Sequence, residues 1–523
     1  MEILIKLIIK MKTNRILSFF LLCAGALMIA SCSNENITGN SVEENNKEAK
    51  GIVFTSIGDN VTRDTPNTRT SISHIIGNGA TAYWSTGDKI WVKATDGNFK
   101  QSAAGVLNAN KTRGDFSLST GTYVNQCDVH YTGLNSSNGN SVTIASTQNQ
   151  TTPNDFSHAG ESGDCGSAKA TGDGTNFTFK LNHKAAYLCF LPQSPSSTFA
   201  NCTLSKVEVI SDNAIAGDFD FTTGSLGTTP TANGSNTITL NTTNFPLTNT
   251  SASAETNASY MVIAPGTHKL VIKYWIHSNV DNIDGTVTKV IDSKSYSAGN
   301  IYDVSSNLDT RVYHEKYYMW DAAVGEDYWK GFESSMPLVL GGHDENYPKT
   351  NADSRWFRET SFPSVATQSA KDCPNINEIT WYINDGDIHW DSSELFYQLG
   401  HFYTGGAWIL KKDNIAGYSS TIASDGIDYR TYTTPCTINK APIAGTPNSA
   451  DITKYFFKPA LGHYYWGTLW NLIGVIGQDV LLRTSSLCPD PQQRCYILHI
   501  NSGSASVDIG DYCDNGVPIW KAE

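Results

Sequence analysis

The side chains able to do chemistry in this sequence are scattered. His343-Asp344-Glu345 and His389-Trp390-Asp391 each set an imidazole near a carboxylate, a combination that can bind a metal or pass a proton. Asp385-Gly386-Asp387 places two carboxylates on a turn, where a hard cation such as calcium could sit. Of eleven cysteines, Cys23 and Cys32 fall in the first 32 residues, leaving Cys127, Cys165, Cys189, Cys202, Cys373, Cys436, Cys488, Cys495 and Cys513. None of these groups reaches a recognised catalytic or metal spacing. HExxH, GxSxG, the P-loop and GxGxxG are missing, and no CxxC occurs among the cysteines. A His beside Trp in a Trp-rich stretch is more often a packing residue than a ligand. Two aspartates around a glycine are more often an acidic turn. The expectation is a chain that binds rather than catalyses, with no catalytic residue, cofactor or metal. An odd number of thiols cannot all pair within one chain; Cys488 and Cys495 are close enough to bridge one loop, and otherwise free thiols are expected.

The N-terminus has chemistry of a different kind. Lys12 and Arg15 precede an apolar run over residues 16–28, which ends in Ile29-Ala30-Ser31-Cys32. Small residues beside the cut and a thiol just after it make a lipobox, so residues 1–32 read as a lipoprotein signal with Cys32 as the lipidation site. The run falls short of the roughly 20 apolar residues that span a bilayer, and several acyl chains on one N-terminus suffice for stable anchoring. Met11 is a better start than Met1 for such a signal. Residues 33–50 are polar and lack aromatics, as a flexible tether would.

Composition narrows the function classes. The chain has 523 residues, 39% of them hydrophobic, and a formal net charge of -13. Without a basic cluster after the signal, nucleic acid is not an expected partner. Gly, Ser, Thr and Asn dominate the first 310 residues, interleaved with Val, Ile, Tyr and Phe, which predicts short strands joined by turns. Residues 52–56 alternate as a first strand. A polar break with Arg63 and Arg69 follows, and then strand, Gly87-Asp88 turn and strand over residues 81–92. Phe177, Phe179 and Leu181 alternate, and residues 185–190 are an apolar run. The β rhythm continues at 207–210, 237–240, 260–263 and 270–275. Two tandem β-sandwiches are expected, over 51–190 and 191–310. Beyond Asn307 the aromatics crowd together, and 311–523 reads as an α+β domain, with short helices expected at 375–382 and 394–399 and a buried strand at 496–500.

The β half resembles the fimbrillin-like family of type V pilus subunits. The matching pieces are the lipobox, Phe54, Arg69-Thr70, Trp84 with Gly87-Asp88-Lys89-Ile90, Phe179-Lys180-Leu181-Asn182-His183-Lys184-Ala185, Ala264-Pro265-Gly266 and Tyr296-Ser297-Ala298-Gly299-Asn300-Ile301-Tyr302. The resemblance implies that an Arg-specific protease, cutting at Arg69 or Arg63, removes the first strand. A neighbouring pilus subunit would then add a strand in its place, backbone groups supplying the affinity. The C-terminal third resembles the C-type-lectin-like domain of bacterial major-paralogue proteins, through Cys373-Pro374, Glu378-Ile379-Thr380-Trp381-Tyr382, Gly405-Gly406-Ala407-Trp408, residues 455–462 and Gly516-Val517-Pro518-Ile519-Trp520. The family's Tyr-Trp pair before Thr-Ser-Ser is replaced here by Leu482-Arg483. Calcium-dependent lectins of this shape also carry Glu-Pro-Asn and Trp-Asn-Asp pieces that this chain lacks. Some relatives are diversified by retroelements in a C-terminal surface, and 478–515 fits that picture.

From these readings a ligand-binding face is expected at Gln478, Asp479, Val480, Leu481, Leu482, Arg483, Asp490, Gln492, Arg494, Asp508, Asp511, Tyr512 and Asp514. Val480, Leu481, Leu482 and Leu487 look too interrupted by polar residues to form one buried strand. If exposed they would make an apolar patch, and Arg and Tyr are enriched at binding hot spots. The whole predicts a surface-exposed outer-membrane lipoprotein, anchored by its lipid at a pilus tip and binding a host, bacterial or glycan ligand. The alternatives are a non-polymerising surface glycan-binding lipoprotein and an enzyme of the formylglycine-generating type.

Overall fold

A computed structural model describes residues 51–57, 71–134, 136–469, 475–490, 492–509 and 512–523. Cys32, Arg63, Arg69 and Asp511 lie outside the described residues. The protein is mainly β, built on several sheets. Among the described residues no helix is long and apolar enough to cross a membrane.

The first strand, Ile52–Ser56, forms where alternation predicts it, and it is interior to its sheet. It runs parallel to Asn176–Phe179 on one side and antiparallel to Gly114–Leu118 on the other. Its inward residues are Phe54, fully buried, and Ser56. Phe54 stacks on Phe177 with ring centroids 4.5 Å apart and meets Tyr123 edge-on at 5.3 Å. Ser56 Oγ accepts from the Trp84 indole N–H and from the Gly114 N–H, each at 2.8 Å. Residues from strands across this nine-stranded sheet share one core around Trp84, Phe116, Tyr131 and Phe179, so the sheet folds over on itself.

The turn at Ser85–Asp88 forms as expected, Asp88 accepting from the Ser85 N–H at 2.6 Å. The strands it joins do not pair with each other. Ala80–Tyr83 pairs back with Ser71–His74, whereas Trp91–Lys93 joins the first sheet. Ile72 and Ala82 therefore pack into a second, larger core with Val142, Ile144, Phe156 and the strands of residues 186–307. Early chain segments thus serve both cores, and the sandwich boundary expected at residue 190 does not divide the packing. The physical reason is that Phe156, which stacks on Tyr260 at 4.9 Å, and the inward residues of Ser141–Ile144 find their apolar surroundings in the second core.

The C-terminal region continues this framework. Its strands His389–Gln398, His401–Leu410 and Tyr455–Pro459 extend the large sheet beyond Ile283–Tyr296 through the pairing of Thr286 with Glu394. Leu395 and Phe402 pack into the second core. The helix expected at 375–382 is Ile376–Asp385; Asn375 caps it and Glu378 reaches back to the Asn375 N–H at 2.7 Å. Where a helix is expected at 394–399, residues 394–398 instead end a strand and Leu399 begins a turn. Six residues containing Phe396 and Tyr397 are too few to nucleate a stable helix and suit a buried sheet. The strand expected at 496–500 is Cys495–Ile500.

Candidate functional site

The residues expected to form a face separate into a buried strand and an exposed edge. Val480, Leu481, Leu482 and Arg483 all lie in Val480–Leu487, whose eight residues are buried throughout. The expected apolar surface patch is therefore corrected to core. Both faces of the strand are covered. Val480 and Leu482 join the core beneath the capped helix, while Leu481 meets Ile497 and Val517 on the other side. Polar residues of this strand bond to backbone carbonyls of neighbouring segments. Arg483 donates to the Asn515 carbonyl at 2.7 Å and Thr484 Oγ1 to the Tyr496 carbonyl at 2.7 Å. Asp479 is buried too, accepting from His499 Nε2 at 2.7 Å and Asn501 Nδ2 at 3.3 Å. Burial pushes its pKa up, but these partners win and hold it below the usual carboxylate range. It ties the start of the strand to its neighbour. Gln478 is exposed, and Asp508 is half-buried on Ala505–Asp508.

The exposed edge is a cluster around Tyr512. The Arg494 guanidinium lies 5.1 Å from the Tyr512 ring centroid and donates to Gln492 Oε1 at 2.7 Å. Asp490 pairs with Arg494 at 3.8 Å. A cleft of about 640 Å³ opens beside Asp490, lined also by Glu359, Phe362, Thr433 and Gln493. Asp514 is raised above the ordinary carboxylate range by burial, opposed by a hydrogen bond with Trp466, and its Oδ1 has no hydrogen-bond partner.

That hydrogen bond leads to residues the sequence reading missed. Tyr464-Tyr465 and Thr468-Leu469 form a hairpin whose two turn residues are Trp466 and Gly467. Both have positive φ, 46° and 72°. Gly467 suits this conformation, and a Cβ there would sit 2.3 Å from the Asp344 carbonyl oxygen. Trp466 does not suit it: a bulky side chain in the left-handed region costs of order 1 kcal/mol or more. Its indole is also 55% exposed, so burial gives little in return. Tyr465 stacks on it at 4.7 Å with planes 17° apart. Tyr464 exchanges backbone hydrogen bonds with Gly516, each 2.8 Å, which sets the hairpin beside Asp514 and Tyr512. Tyr465 and Trp466 thus form a stacked aromatic pair near Tyr512, with Arg494, Gln492 and Asp514 as polar neighbours. The available signal was an aromatic in front of Gly in a place that Asn or Asp would fill at lower cost.

The imidazoles singled out from sequence have structural partners. His343 bonds Thr468 Oγ1 and Glu345, both at 2.9 Å, beside the same hairpin. His389 is buried against Tyr455, with Asp387 at 3.4 Å. Asp391 accepts from Ser393 Oγ at 2.7 Å, Thr446 Oγ1 at 2.9 Å and the Trp408 indole at 3.3 Å. Asp387 accepts from Tyr455 Oη. Asp385-Gly386-Asp387 ends the capped helix. Among the described residues the nine cysteines are buried and form no disulfide with one another, Cys488 and Cys495 included.

No protein-family model matches the chain. No curated protein matches it either. Among solved structures, a candidate cell adhesion protein from Bacteroides ovatus is similar over 50% of this chain and 92% of its own, at 16% identity and a TM-score of 0.31. One from Bacteroides uniformis covers 49% and 94%, at 16% identity and TM-score 0.30. A fimbrial protein from Bacteroides ovatus covers 52% of each chain, at 12% identity and TM-score 0.22. Likenesses this distant carry no transfer of function, and the reading below rests on this chain's own residues.

Proposed function

We propose that this chain is a cell-surface adhesin that binds a saccharide through its C-terminal region, 311–523, and works without catalysis. It would be an outer-membrane lipoprotein anchored through Cys32 and displayed at a pilus tip. The observation that carries the binding claim is the aromatic face of Tyr465 and Trp466, with Tyr512 near it. A pyranose ring offers one face of C–H bonds, which packs on an exposed aromatic plane, and a rim of hydroxyls that pair with carboxylate, amide and guanidinium groups. Asp514, Gln492 and Arg494 supply that rim. Keeping a large aromatic exposed and at positive φ costs stability, and ligand binding explains the cost. The test is binding of the purified chain to a panel of immobilised saccharides, beside a Trp466→Ala/Tyr512→Ala double variant. Binding that free sugar competes away and the double variant lacks, at equal melting temperature, supports the reading. No saccharide bound, or binding indifferent to both substitutions, refutes it.

Assembly by strand exchange is supported by the interior position of Ile52–Ser56. Its loss would leave the edges of Asn176–Phe179 and Gly114–Leu118 unpaired and empty the space filled by Phe54. A donor strand from another pilus subunit would restore the ladders and need an apolar side chain at that place.

A further inference from the structure

His74, Cys189 and Asp303 come from widely separated parts of the chain, yet their ligand atoms all lie within 4.8 Å of one another. Cys189 and Asp303 face each other on the parallel strands Ala186–Gln193 and Ile301–Asn307. His74 arrives from the end of Ser71–His74. We infer that His74 Nε2, Cys189 Sγ and a carboxylate oxygen of Asp303 form a binding site for a zinc ion.

The imidazole is already oriented as a metal ligand is. His74 Nδ1 donates to the Gly79 carbonyl at 2.7 Å, which fixes the proton on that nitrogen and aims the Nε2 lone pair away from it. Nε2 then meets Asp303 Oδ1 at 2.6 Å. Two acceptors this close share a proton, which a metal ion would displace as the contact opens. Asp303 is held from its other side by the Gly77 N–H, 2.9 Å from Oδ2. The third ligand, Cys189, is fully buried, and burial pushes its thiol far above the ordinary range. A metal reverses that by taking the thiolate directly. Nitrogen, sulfur and carboxylate together suit zinc and exclude calcium or magnesium, which take oxygen ligands.

The geometry needs little adjustment. Bonds of about 2.1 Å at a tetrahedral angle set N and O roughly 3.4 Å apart, so the His74–Asp303 contact must open by a modest side-chain rotation. The Asp303 side chain is 25% exposed, which gives ion and solvent a route to the fourth position. On binding, Cys189 releases its thiol proton, and His74 releases the Nε2 proton if it starts as an imidazolium; no oxidation state changes. The ion would clamp the hairpin of Ser71–His74 and Ala80–Tyr83 to the sheet of the second core.

The experiment uses the full chain, stripped by chelator and then titrated with Co²⁺ as a spectroscopic probe and Zn²⁺ as competitor. One equivalent of Co²⁺ should bind with a thiolate charge-transfer band that Zn²⁺ abolishes. Cys189→Ser should lose the band, and Asp303→Asn should weaken Zn²⁺ at least about tenfold. If Cys189→Ser does not fold, anomalous scattering at the zinc edge from wild-type crystals decides, and the ion must appear between the three side chains. No thiolate band with folded wild type, a band that survives in folded Cys189→Ser, or zinc density elsewhere alone would overturn the site.

Discussion

Replacing Glu394 by Ala should be among the most damaging single substitutions in the protein. Glu394 is fully buried where the strand His389–Gln398 joins Ile283–Tyr296. It accepts from Arg311 Nε at 2.7 Å, the Thr288 N–H at 3.0 Å, Thr288 Oγ1 at 2.6 Å and Thr286 Oγ1 at 3.3 Å. Alanine would leave the Arg311 guanidinium, whose side chain is 13% exposed, without its carboxylate. Losing one partner of a buried pair costs about 3–5 kcal/mol, and an orphaned backbone N–H adds about 1–3 kcal/mol unless water enters. Glu394→Gln keeps the shape and an acceptor for the Thr288 N–H, so it should recover roughly half of the loss. Denaturant unfolding followed by tryptophan fluorescence and far-UV circular dichroism measures both variants. The C-terminal strands should also lose their attachment, so Glu394→Ala should separate the unfolding into two transitions. A midpoint within error of wild type, with a single transition, would refute the view that this contact joins the two regions.

Further outcomes follow from single sites. Burial lowers the pKa of His158 to about 4, against the weaker opposing pull of Asp155, and its Nε2 has no partner. Because the folded value lies below the unfolded one, the unfolded chain takes up the proton first. Stability is then full above about pH 6.5 and falls by up to about 3 kcal/mol as pH drops toward 4; His158→Gln should flatten that stretch, and an unchanged slope would contradict it. Nine thiols should resist a thiol reagent in the native protein and react in denaturant; two fewer would reveal a disulfide. Trypsin should cut between residues 58 and 75, with the peptide carrying Ile52–Ser56 staying bound until denaturant or a competing strand displaces it. Its immediate release after cutting would contradict the interior placement.

Local signals in the sequence were enough for the elements whose chemistry is local. The alternation over 52–56, the helix beginning after Asn375 and the Gly87-Asp88 turn each carry their own physics, and each forms where expected. What the strands pair with was not legible. Ser71–His74 and Ser141–Ile144 read like their neighbours, and only the shape of the second core draws them away. The strand Val480–Leu487 misled for a related reason. A strand covered on both sides shows no alternation, and buried Arg483 and Thr484 look like surface residues until their backbone acceptors appear. Arg494, Tyr512 and Asp514 do share an exposed edge, but the hairpin that completes it comes from residues 464–469, outside the expected window. His74, Cys189 and Asp303 have no sequence spacing that could have announced them.

The aromatic face is the centre of this account, and calorimetric titration of the best-bound saccharide into wild type and Trp466→Ala tests it most directly. Trp466 is exposed, and alanine keeps the same positive-φ backbone at similar cost, so its loss should leave the melting temperature within about 2 °C. Affinity should fall at least about tenfold, or about 1.4 kcal/mol, as for a central aromatic contact. An unchanged dissociation constant, or a loss of affinity matched by a loss of folding, would contradict the claim that this face holds the ligand.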